Sequence, residues 1–167
     1  MNNSDLIKEL ESSNSRLFKE EILRREMAKE NIFFFEGLKL AYNRLLTFGV
    51  KKIPESKLDG HGIIWEDFEN LSNKLLKRKL TGHAARDEIL KLMEMSHKDE
   101  WNFFYKRILQ KDMRCGLSEK TINNVAKKNN FLKYLIPVFS CQLAQDCELH
   151  KKKLVGKKFL EIKLDGV

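Results

Sequence analysis

The sequence predicts a mainly α protein, with a multi-helix domain over residues 1–130 and the first strands of a second domain over 131–167. Three observations carry this. Apolar residues recur at helical spacing through the first 130 positions. Serines stand where helix starts are expected. After Asn130 the texture changes to short, strand-like runs.

In chain order, Ser4 is placed to cap a short helix through Leu6, Ile7 and Leu10. Ser15 caps the next, with Leu17, Phe18, Ile22 and Leu23 as its apolar stripe. Ile32, Phe35, Leu38, Ala41, Tyr42, Leu45 and Leu46 predict a helix from Asn31 to Phe48, with Gly49 as its C-terminal glycine. Pro54, Gly60 and Gly62 make 51–63 a loop. Helix resumes at Trp65 and runs through Phe68, Leu71, Leu75 and Leu76 to Lys79. Thr81-Gly82 interrupts it, and His83 to Met95 forms another helix. Ser96-His97-Lys98-Asp99 has the capping-box pattern and opens a helix carrying Trp101, Phe104, Ile108 and Leu109. Residues 111–117 break the pattern, and Ser118 caps a last helix that buries Ile122 and Val125. Leu135-Ile136-Pro137-Val138-Phe139 and Phe159-Leu160-Glu161-Ile162 are the strand-like runs, with lysines 151–153, 157 and 158 between them.

The bulk composition narrows the class. With 167 residues, 42% hydrophobic and 34% charged, the chain makes one well-packed domain with little left over. No apolar run approaches the roughly 20 residues of a membrane span. Met1 to Asp5 lacks the basic-then-apolar pattern of a secretion signal, so a cytoplasmic protein is expected, and separately a monomer. The net charge of +8 suits a polyanionic partner, because neutralising phosphates releases condensed counterions. Cys115, Cys141 and Cys147 are odd in number and irregularly spaced, as reduced thiols are. With His150, the last two fit no common zinc spacing.

One motif points to chemistry. Glu161-Ile162-Lys163-Leu164-Asp165-Gly166 contains a K-x-D-G string that follows a strand-like run. Lys57-Leu58-Asp59-Gly60 is the same four letters in a loop with no strand before it, and reads as a surface turn. The copy at Lys163 resembles the nucleophile motif of the covalent nucleotidyltransferases. Two further segments narrow the resemblance: Arg78-Lys79-Leu80-Thr81-Gly82-His83-Ala84-Ala85, and Arg107-Ile108-Leu109-Gln110-Lys111-Asp112-Met113-Arg114-Cys115-Gly116-Leu117-Ser118. Both are similar to parts of the helical DNA-binding domain of ATP-dependent DNA ligases of the T4-phage type. Their order and spacing relative to Lys163 match too, so the likeness covers nearly the whole chain.

The resemblance implies a DNA-binding domain followed by the start of an adenylation domain, with nicked duplex DNA as partner and ATP and Mg²⁺ as cofactors. It implies Lys163 as the nucleophile that attacks the α-phosphate of ATP, with Glu161 and Ile162 beside it in the nucleotide site and Glu161 contacting the adenine amino group. The amine must be neutral to attack, so its pKa has to fall well below about 10.4. Thr81-Gly82 and Gly116-Leu117-Ser118 each stand at a helix start, where free N–H groups and the dipole attract phosphate. Arg78, Lys79 and His83 flank the first, and Lys111, Arg114 and Lys120 the second. Such contacts hold a duplex without reading its bases. The same residues also read as two ordinary capped turns with cations on a solvated face. A basic, non-enzymatic helical module binding nucleic acid or protein, with both KLDG strings accidental, therefore stays open beside the ligase reading.

The family pattern continues beyond Gly-x with an arginine, whereas this sequence stops at Val167. The chain by itself is therefore expected to bind duplex DNA yet form no stable lysine–AMP. Incubation with labelled ATP and Mg²⁺ checks this, and strong covalent labelling sinks it.

Overall fold

A computed structural model describes residues 2–138, Glu148, Lys151 and 155–157. Within them the protein is mainly helical and contains no strand. The first helix, α1 (Asn3–Glu11), is capped by Asn2 rather than Ser4. The Asn2 amide oxygen accepts the Asp5 N–H at 2.9 Å, and the Ser4 hydroxyl, itself buried, donates to the same oxygen. Leu6, Ile7 and Leu10 are fully buried. Ser15 caps α2 (Arg16–Ala28) as the sequence predicts. The buried stripe of α2 starts later than expected, at Lys19, Ile22, Leu23, Glu26 and Met27, and leaves Leu17 77% exposed. Arg25 ties the two helices with a two-pronged contact to Glu9, at 2.9 and 2.7 Å, and a third bond to Glu26.

The third helix, α3 (Ile32–Tyr42), ends six residues before the expected Phe48. Asn43 ends it. Its side-chain oxygen accepts the Leu45 N–H at 3.0 Å, a local turn that competes with another helical turn. Phe48 is buried all the same, so its apolar signal reports burial without helix. α4 (Trp65–Leu76) buries Trp65, Phe68, Leu71 and Leu75, and α5 (Gly82–Met95) comes after Thr81.

The centre of the fold is one helical rod. It comprises α6 (Lys98–Glu100), a π-helical turn (Trp101–Tyr105) and α7 (Lys106–Gln110) in unbroken succession. All of Phe104 to Leu109 is buried. Phe104 stacks on Phe34 of α3 with ring centroids 6.0 Å apart, and Tyr105 packs on Phe68 of α4 at 4.7 Å. Ser96 does not cap this rod, since its buried hydroxyl donates to the Leu92 carbonyl. Asp59 takes that place, accepting the Lys98 N–H at 2.8 Å.

That cap explains the loop copy of KLDG. Gly60 and Gly62 donate their N–H groups to the carbonyls of Ser96 and Met95, both at 2.9 Å. The Asn102 side chain exchanges two hydrogen bonds with the Ser56 backbone, and Trp101 donates to the Pro54 carbonyl. Lys57-Leu58-Asp59-Gly60 is thus part of an extended strap pinned along the rod, and not the ordinary surface turn that the sequence predicts, because its partners are about forty residues away.

The last helix, α8 (Glu119–Lys128), is capped by Ser118 as expected and packs on α2. Packing continues past residue 130, through the 3₁₀ turn Leu132–Tyr134 to Ile136. The strand expected over 135–139 is not formed in its described part, 135–138. Instead Asn123 of α8 accepts the Ile136 N–H at 2.8 Å and donates to its carbonyl at 2.9 Å, as a neighbouring strand would.

A Cβ at Gly60 would run into the backbone carbonyl of Met95, which cannot swing aside. Gly60→Ala should therefore destabilise the fold by about 1–3 kcal/mol, whereas Lys57→Ala should stay within about 0.5 kcal/mol. Denaturant melts of the two variants measure the contrast.

Candidate nucleic-acid interface

Candidate phosphate-binding cations divide by whether the fold already uses them. Around the start of α5 they are available. Arg78, Lys79, Thr81, Gly82 and His83 are all exposed, and among the described residues no ion pair holds Arg78 or Lys79. Thr81 makes no side-chain cap, so the first N–H groups of α5 have no capping acceptor. Gly82 has φ +57, in the left-handed region, and nothing stands within 4 Å of where its Cβ would be. An anion can therefore approach these N–H groups closely.

The second segment is built differently. Lys111 is half-buried, and its ammonium donates to the carbonyls of Leu40 at 2.8 Å and Asn43 at 2.6 Å. It thus closes the C-terminal end of α3, where carbonyls lack helical partners and a cation is favoured. Burial pushes its pKa down to about 8. This lysine, expected beside phosphate, has an internal task. Arg114 is exposed, with its guanidinium 3.5 Å from Asp112. Gly116 has φ +64, and the buried Lys19 crosses beneath it to donate to the Cys115 carbonyl at 2.7 Å. Leu117 and Ser118 are half-buried, and the Ser118 hydroxyl already accepts the Thr121 N–H at 3.2 Å. Lys120 is exposed, with no ion pair among the described residues. Cys115 is buried 3.7 Å from the Tyr42 hydroxyl, and burial pushes its thiol up, as suits a packed residue.

The two segments are joined by the stretch after α3. Arg44 pairs with Glu119 at the start of α8, at 3.1 Å. Asn43 is held by Lys111, whose ammonium also lies 5.9 Å from the centre of the Phe48 ring. The Arg78 guanidinium lies against Gly49, occupying the place of a Cβ. Residues 43–49 thus touch both expected contact regions.

Three cations stand out in the structure that the sequence did not single out. Lys51, Lys52 and Arg86 are exposed, with no ion pairs among the described residues. Lys52 and Arg86 border one groove floored by Ile53, Pro54, Ile89 and Leu90. The signal for Arg86 was its position one helical turn after Gly82, on the same face. Glu161, Ile162, Lys163, Cys141, Cys147 and His150 lie outside the described residues. Among the described residues no three His, Cys, Asp or Glu side chains are grouped to hold a metal ion. No described helix is long and apolar enough to cross a membrane.

No family model matches this sequence, and no curated protein does. Solved structures do. The chain is similar to one named Pmar-Lig_PreS3, with 52% identity and a TM-score of 0.82 over 93% of its length. A second, named Pmar-Lig_Pre., gives 51% identity and a TM-score of 0.82 over the same share. The chain spans 36% of the length of each.

The Lys111 ammonium is kept charged at the fold's expense. Between about pH 8 and the ordinary lysine value of about 10.4 the unfolded chain holds the extra proton, so stability rises with pH there. The neutral amine still has two N–H groups for its two carbonyls. Relative to Lys111→Met, the parent chain should therefore gain melting temperature from about pH 8 to about pH 10, and no relative gain across that range removes the argument.

Proposed function

We propose that this chain is the DNA-gripping part of an ATP-dependent DNA ligase, with Lys163 as the lysine that receives AMP. The observation that carries the reading is the likeness to two solved structures whose names contain Lig, at half identity and over nearly the whole chain. The K-x-D-G string at Lys163, after a strand-like run, agrees with it. So does the cluster of exposed cations around an open helix start.

Within that reading the work is divided between two helix starts and a downstream lysine. The first turn of α5 presents N–H groups to one phosphate of the duplex, and Arg78, Lys79 and His83 surround it. Lys52 and Arg86 extend the cationic surface along the same helix. Arg114 and Lys120 contribute at the start of α8, while Lys111 supports the structure from behind. Backbone contacts of this kind fit an enzyme that must act at nicks of any sequence. Glu161 and Ile162 would line the adenine side of the nucleotide site. Mg²⁺ would neutralise the phosphates of ATP during transfer. Lys163 would then pass AMP to the 5′-phosphate at the nick, and the 3′-hydroxyl would displace it.

Binding of a nicked duplex, titrated against salt, tests the grip. Affinity should fall steeply with salt, and Arg78→Gln, Lys79→Gln or Lys120→Gln should each reduce the log–log slope by about 0.9. Indifference to salt, or a preference for single-stranded RNA, defeats the reading.

A further inference from the structure

The two halves of the proposed grip lie far apart in sequence, around 78–86 and 111–120, yet a backbone-binding surface works only if its cations sit at fixed separations that match phosphate spacing. Neither half is fixed by its own hydrogen bonds alone. Arg78 stands at a helix end with positive φ, on an exposed turn. Lys111 and Arg114 both have positive φ, so the second turn is strained at two positions, and Gly116 relieves a third at φ +64. Lys19 and Arg107 hold the second turn through the Cys115 and Met113 carbonyls, but neither of them reaches the first turn.

We infer that residues 43–49 are a brace that sets the two halves of the grip relative to each other, with Gly49 and Lys111 as its positioning residues. The inference rests on the DNA-binding reading above. At one end the brace seats Arg78. Gly49 has φ +71, and its missing side chain leaves the space in which the guanidinium lies. A methyl group there collides with Nη1 and Cζ of Arg78, the mobile end of a side chain. An alanine therefore displaces that guanidinium and leaves its charge intact, and its own strain at φ +71 is common to both backgrounds of a double-mutant cycle. At the other end Lys111 fastens the brace to the second turn through the Leu40 and Asn43 carbonyls. Arg44 fastens it to Glu119, next to Lys120. Phe48, next to Gly49 and 2% exposed, anchors that end in the core. The brace thus carries no phosphate contact at Gly49, yet it governs where one cation stands.

This assigns Lys111 a different part from the one its charge suggests. A lysine that touches phosphate contributes to the salt slope. One that holds a brace contributes to affinity while leaving the slope unchanged.

A double-mutant cycle on nicked-duplex binding separates the possibilities. In the parent background Gly49→Ala should weaken binding about three- to tenfold and lower the salt slope by about 0.9, because Arg78 leaves its phosphate. In an Arg78→Gln background the same substitution should change binding by less than about twofold, since the residue it acts through is gone. Lys111→Met should weaken binding with the slope unchanged. Thermal melts identify any variant that fails to fold. If Lys111→Met is one, the Gly49 and Arg78 cycle decides alone. Equal losses from Gly49→Ala in both backgrounds overturn the brace, as does a slope that drops with Lys111→Met. A parent chain that does not bind the nicked duplex overturns the DNA reading itself, and the brace with it.

Discussion

The fold depends on the second half of its central rod, which has no outer face. From Phe104 to Leu109 every residue is buried, including Lys106 and Arg107. A helix buried all round cannot use the amphipathic pattern that orients most helices, and its charges must find partners or leave the core. Both do find them. Lys106 pairs with Glu55 on the strap, and Arg107 with Glu11 at the end of α1 and with the Met113 carbonyl. These contacts, at 2.5 Å for each ion pair, draw the strap and the first helix onto the rod. The π turn widens the register at the start, and Trp101 and Asn102 hydrogen-bond to the strap from within it. Removing Glu11 would leave the buried Arg107 without its counter-charge, a larger cost than a surface pair carries, whereas Glu55 reaches Lys106 from the solvent side.

The legible parts of the sequence were those decided within a few residues. Ser15 and Ser118 cap their helices because the acceptor and the N–H it serves are three positions apart. Ser4 lost to Asn2, two residues earlier, which forms a capping box with Asp5. Ser96 lost to Asp59, which is remote in sequence, so no local rule could have found it. The early end of α3 was written in the sequence as Asn43, but the apolar spacing around it promised a longer helix. For the site, exposure at Arg78 to His83 came from their polar run beside a glycine. The internal use of Lys111 was hidden, because its acceptors are 71 and 68 residues away. Lysine in a sequence reports charge; whether that charge is available depends on contacts made elsewhere.

This sorting of cations gives the surface its character. The surplus of +8 is spread over 32 basic residues, and many of them are occupied. Lys19, Arg25, Lys106, Arg107 and Lys111 all serve internal acceptors. Those left around α5 are fewer, and they share one region with an uncapped helix start. A local density of available donors, rather than the net charge, is what distinguishes a phosphate-binding face from a merely basic one. The two KLDG strings make the same point about motifs, since in the described one the aspartate caps a helix and the glycine lets two backbones meet.

The clamp between Asn123 and Ile136 has a mechanical meaning. Pro137 and Val138 are exposed, and the backbone just before them is gripped on both its donor and its acceptor by one side chain. Any pull arriving through Pro137 meets two amide hydrogen bonds, rooted in α8, before it reaches Tyr134 or the aromatic ring of Phe35 packed against it. Those two bonds can break and re-form while the covalent chain stays whole, and they stand between Pro137 and the aromatic packing that seats α3.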